Sequence, residues 1–147
     1  MDLQDRVRTV AIRLHSSIQH PGQDKETHEM RLTGELIDKK GITYLRYEEQ
    51  QDGSRVSTTI KFGEEESLIL RGGAVSMRLP FAINEERMGT YGSGPATFDL
   101  LVKTNGLEIS KNADDTGGRF DVQYELHGEG ALLGTYELTI TYMEGTQ

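Results

Sequence analysis

From Arg6 almost to Met143 the chain repeats one rhythm: an apolar residue, then a polar one, with glycine-rich breaks between the runs. A side-chain period of two is the signature of a strand with one face buried and the other wet. The first run, Arg6 to Ile18, places Val10, Ile12, Leu14 and Ile18 on one face and Thr9, Arg13 and His15 on the other. After a turn at His20-Pro21-Gly22-Gln23-Asp24, a second run from Thr27 to Asp38 alternates Met30, Leu32 and Leu36 with Glu29, Arg31, Thr33 and Glu35. Lys39-Lys40-Gly41 leads into Ile42 to Glu49, and Asp52-Gly53 is a hairpin signal between that run and Ser54 to Phe62.

The rest of the chain continues in the same way. Ser67 to Arg71 and Ala74 to Phe81 flank Gly72-Gly73, which reads as a tight turn. Ile83 to Gly94 is the least regular segment; it has room for a helical turn at Asn84 to Met88 and is a candidate lid. Ala96 to Thr104 ends at Asn105-Gly106, the strongest hairpin turn signal in the chain, with Leu107 to Lys111 as the returning strand. The last two runs are the cleanest. Val122, Tyr124 and Leu126 share one face, and Tyr136, Leu138 and Ile140 share the face packed against them. Leu138 is therefore expected to be a core residue whose truncation to Ala strongly destabilises the domain, while Thr139 beside it is expected to matter little.

Strands in this number leave two exposed edges unless the sheet closes, and closure removes the aggregation hazard that edges carry. The expectation is one all-β domain over 1–147: a closed or nearly closed, mainly antiparallel β-barrel of about eight to ten strands. Composition agrees. Seventeen glycines in 147 residues suit a protein made of hairpins. There is no cysteine, which excludes disulfides, thiol catalysis and Cys zinc sites, and suits a reducing compartment. Met1 to Leu14 carries charges throughout and has no apolar core of a signal peptide. No apolar stretch has the length of a membrane helix. The expected location is the cytoplasm. A net charge of −8 without a basic stripe argues against nucleic acid.

Candidate chemistry is sparse. The four histidines, His15, His20, His28 and His127, do not converge on one point in this pattern, so neither a metal nor a cofactor is expected. Gly92-Ser93-Gly94 is followed by Pro95 and a strand, which is the wrong context for a catalytic serine or a phosphate loop. The residues that stand out are three arginines among six tyrosines. Tyr44, Arg46, Arg71, Arg78, Tyr91 and Tyr124 are the candidate ligand-binding residues. A lumen holding tyrosine hydroxyls and an arginine suits a small amphipathic or anionic ligand, because arginine binds carboxylates through two parallel hydrogen bonds.

Several stretches carry a family likeness. They are Ser67-Leu68-Ile69-Leu70-Arg71-Gly72-Gly73, then Val75 to Phe81, Tyr91-Gly92-Ser93-Gly94-Pro95, Thr104-Asn105-Gly106-Leu107, and Gly118 with Val122 to Leu126. In this order they resemble the YwiB-like family, small bacterial proteins of unknown function assigned to the calycin, or lipocalin-like, barrels. The resemblance covers most of the chain, and its motifs are turns and strand patterns. It implies a closed barrel in a bacterial cytoplasm and carries over no catalytic residue. The function expected is that of a non-enzymatic barrel with a small-molecule ligand. The alternatives are a protein–protein interaction module, or an unrecognised hydrolase or isomerase. A monomer or weak homodimer, with no membrane association, is the expected state.

Overall fold

A computed structural model describes residues 6–93 and 95–145. These residues form ten strands: β1 (Arg6–Gln19), β2 (Glu26–Lys39), β3 (Ile42–Gln51), β4 (Ser54–Phe62), β5 (Ser67–Gly73), β6 (Ser76–Phe81), β7 (Glu86–Ser93), β8 (Ala96–Lys111), β9 (Gly117–Gly128) and β10 (Ala131–Glu144). Each strand pairs antiparallel with its neighbours in sequence, and β10 pairs with β1 to close the barrel. The predicted fold class holds. The alternating residues fall as expected: Val10, Ile12, Leu45, Ile60, Val122 and Ile140 are fully buried inside, while Arg13, Arg31, Arg46 and Lys103 are exposed outside.

The hairpins close by turn chemistry visible in the sequence. At Lys40-Gly41, Asp52-Gly53 and Glu129-Gly130 both central residues have positive φ, as a two-residue turn matching the twist of its strands requires. Three expectations need correction. Asn105-Gly106 is not a turn: β8 runs through it, and the register against β9 slips by one between Thr104 and Gly106. It is a β-bulge, and Asn105 is held by a hydrogen bond from its Nδ2 to Glu125 at 3.0 Å. A strand of this length needs such a bend to follow the curve of a barrel. Gly72 and Gly73 belong to β5, and the turn falls two residues later, at Ala74–Val75. Gly73 needs its glycine because φ is +113° and a Cβ would meet the Arg55 carbonyl. The segment expected to be irregular is mostly strand β7, and Ile83–Asn84 is a plain turn. Gly94, part of the candidate lid, lies outside the described residues.

The wall is not uniform. β2 and β3 pair only from Glu35↔Arg46 to Lys39↔Ile42. Beyond that point Glu26–Gly34 and Tyr47–Gln51 pair only with their other neighbours, β1 and β4. Gly34 marks the parting: a Cβ there would stand 2.5 Å from the Arg46 carbonyl and 2.6 Å from Ile12 Cδ1, so only glycine lets the strands cross this closely before they diverge. A shorter break separates the lower half of β6 from β7, where pairing stops at Arg78↔Thr90. Pro80, which has no N–H to donate, sits just past that point.

The candidate binding cavity

The barrel has a packed waist and a hollow at each end. The row Leu36–Leu45–Ile60–Ile69–Leu79, joined by direct cross-strand pairs, crosses the waist. Phe81 and Phe120 complete its filling, each without exposed surface. At one end Phe62 stacks on Phe120 at 5.4 Å, and below them the interior turns polar. Arg8 is buried there. It donates to the Asp115 carbonyl at 2.7 Å and to the Asp38 carboxylate at 2.9 Å, with Glu144 at 3.3 Å. Thr43 donates to the other Asp38 oxygen at 2.9 Å and accepts from Lys111 at 3.1 Å. This network ties β1, β2, β3, β8 and β10 together. The hollow beside it, about 880 Å³, is rimmed by the acidic turn Glu64–Glu66.

The opposite end holds the candidate site, a cavity of about 740 Å³. It adjoins the gap between β2 and β3: Thr27, His28 and Met30 of β2 line one side, and Tyr47 and Glu49 of β3 line the other. Register builds its polar rim. Tyr47 pairs with Thr58, Thr58 with Arg71, Arg71 with Met77, Met77 with Tyr91, and Tyr91 with Phe98. Directly paired residues share a face, so these six form one row across β3 to β8, inward as far as Tyr91 and ending at the exposed Phe98. Tyr124 and Tyr136, paired across β9 and β10, stack with their rings 5.1 Å apart and face this row.

The electrostatics of the cavity centre on one pair. Arg71 Nη2 donates to Glu49 Oε1 at 3.4 Å, with the two side chains 23% and 11% exposed. Burial pushes the Tyr47 hydroxyl up to about 12; the Glu49 charge adds to this, and Arg71 and the neighbouring Thr58 hydroxyl pull the other way. Burial also raises Tyr124, reinforced by Tyr136, and raises Tyr136 itself. All three phenols therefore stay protonated across the physiological range and act as hydrogen-bond donors. Thr58 Oγ1 is buried without a well-formed hydrogen bond. Below these groups the walls are apolar, with Leu14, Met30, Ile69, Leu79 and Leu126.

Of the sequence candidates, Arg71 and Tyr124 line the cavity, and Tyr91 extends its row at the mouth, half-buried against the core. Tyr44, Arg46 and Arg78 point outward. Arg46 is tied to Glu35 at 2.6 Å, and Arg78 is exposed. Glu49, Thr58 and Tyr47, like Tyr136, are not among those candidates, although Tyr47 and Tyr136 belong to the six tyrosines that stand out in the sequence. The first three were readable from the Asp52-Gly53 turn, which sets Gln51 opposite Ser54 and so Tyr47 opposite Thr58. Tyr136 shares the face of Leu138 and Ile140.

The likeness noted in the sequence holds on direct comparison. YwiB of Bacillus subtilis (strain 168), named as an uncharacterized beta-barrel protein, is 31% identical over 137 residues, covering 93% of this chain and 94% of that one. The crystal structure of the ywiB protein from Bacillus subtilis superposes with a TM-score of 0.83 at 28% identity, covering 95% of this chain and 94% of that one. Residues 12–140 match a family described as a domain of unknown function, DUF1934. With nearly the whole barrel inside that match, the chain belongs to the DUF1934 family.

Proposed function

We propose that the protein is a non-enzymatic binding barrel that holds one small amphipathic molecule in the cavity beside the β2–β3 gap. The observation that carries this reading is the cavity's division of labour: an apolar floor beneath a converging cluster of Tyr47, Thr58, Arg71 and Tyr124. Its volume of about 740 Å³ is that of ordinary small-molecule sites. The phenols are held as donors, which suits binding. The gap gives a ligand a way in through the wall. The exterior supports a freely dissolved protein. A membrane barrel carries an outward apolar band, whereas Arg13, Arg31, Arg46, Arg78 and Lys103 are exposed here. The same reading takes the protein as a monomer or weak homodimer without nucleic acid, given its charge of −8.

The test uses Nile red, an uncharged dye that brightens in apolar surroundings. The wild-type protein is expected to enhance its emission at about one dye per chain. Met77→Trp, which places a large ring in the cavity from its half-buried edge, is expected to abolish the enhancement while leaving the thermal midpoint nearly unchanged. Equal enhancement by both proteins, or none by the wild type, would overturn the reading.

A further inference from the structure

We infer that the head group this cavity selects is uncharged and rich in acceptor oxygen, an amide, ester or ketone carbonyl on an apolar chain, because Arg71 is already neutralised by Glu49 while the donors around it remain unused. The inference deepens the binding reading above and rests on it.

Charge balance is the first ground. An arginine among tyrosines invites a carboxylate ligand when it stands alone, but Glu49 occupies one side of this guanidinium at 3.4 Å. An incoming carboxylate would either lie beside Glu49 or displace it. The first sets like charges together in a shielded place. The second strands a carboxylate that is only 11% exposed. Both are costly, since removing the partner of a shielded charge leaves that charge uncompensated. Glu29 at the mouth adds to the repulsion of anions, while Glu137 is paired with Lys25 at 3.6 Å. An ammonium head meets the mirror-image problem at Arg71.

Hydrogen-bond supply is the second ground. A guanidinium has five N–H donors, and Arg71 gives one of them to Glu49. The protonated phenols of Tyr47, Tyr124 and Tyr136 line the same space, with the Thr58 hydroxyl beside Tyr47. A neutral carbonyl oxygen accepts from two such donors without disturbing the ion pair. Its chain then runs down over Ile69, Leu79 and Leu126.

The experiment is displacement of Nile red by a matched series on one saturated chain: decanamide, methyl decanoate, decanoate and decylamine. Decanamide or methyl decanoate is expected to displace the dye at a concentration about tenfold or more below that needed with decanoate or decylamine. In Glu49→Gln the guanidinium is freed, and decanoate is expected to gain about tenfold while decanamide changes little. The wild-type ranking is decisive by itself if the variant fails to fold. Decanoate matching decanamide on the wild type overturns the inference. So does a folded Glu49→Gln that leaves decanoate unchanged, or dye that is bound but displaced by none of the four. Failure of the dye to enter at all removes the binding reading first, and so marks a different error.

Discussion

Two residues apart on β10, Leu138 and Ile140 look equivalent in the sequence and differ in the structure. Ile140 has no exposed surface and sits between Leu14 and Phe120 in the filled part of the barrel. Leu138 is half-buried and lines the cavity. Truncating Ile140 to Ala leaves a hole in a packed region, at a cost of about 2–5 kcal/mol. Truncating Leu138 only widens space already empty, so the loss is mainly that of transfer, about 1–2 kcal/mol. Thr139→Ala removes a weak 3.4 Å contact with Asp121 on the outside and is expected to change stability by about 0.5 kcal/mol or less. Urea midpoints should fall in the order Ile140→Ala, Leu138→Ala, Thr139→Ala, the first lowest. The strong effect expected at Leu138 from the pattern is thus moved to Ile140. Alternation tells which side a residue faces. It does not tell how deep it lies, because depth depends on where the barrel is filled. The same distinction governs the arginines: Arg71, Arg46 and Arg78 are alike in composition, and only register puts Arg71 beside Glu49.

Among the elements, the strands were legible and the breaks were partly so. Every long alternating run became a strand, because one-sided burial leaves no other period. Asn105-Gly106 misled because it is a local signal overruled by tertiary pairing: Leu107 and Ile109 gain their partners Val122 and Phe120 only if β8 continues. The gap between β2 and β3 was legible on one side only: β2 keeps Met30 and Leu32 in alternation through it, while β3 loses its alternation after Tyr47, where Glu48-Glu49-Gln50-Gln51 is wholly polar. It has a measurable consequence. Along Thr27 to Thr33 alternate amides point to β1, where pairing is continuous, and to β3, where it is absent. The gap-facing amides are expected to exchange with solvent hydrogen at least about a hundredfold faster than their neighbours. Even protection along this segment would mean that the strands zip together in solution, and that the cavity has no side entrance.

At the scale of the molecule, the buried phenols make the barrel sensitive to alkali. Tyr47 and Tyr142 are both pushed up to about 12 by burial. In the unfolded chain a tyrosine ionises near pH 10. Below that pH both states are protonated and the barrel keeps its full stability. Above it the unfolded chain releases protons that the barrel still holds, so stability is lost progressively as pH rises from about 10 towards 12. Urea midpoints should therefore fall steeply across that window, and tyrosinate absorbance should lag in the folded protein. A midpoint constant through the window would contradict the burial of these hydroxyls. The closure of the barrel has a further consequence, in the order of events as the chain folds. Strands β1 to β10 form nine ladders between immediate neighbours in sequence, and only the seam from Val10↔Glu144 to Gln19↔Thr135 joins distant parts of the chain. Each neighbouring ladder needs only a short loop to close, whereas the seam must bring together the two ends of the whole meander, at the largest cost in chain entropy. The hairpins can thus accumulate one upon the next as an open, curling sheet. The cavity and the polar plug around Arg8, which draws on both β1 and β10, come into being together only when the last ladder zips.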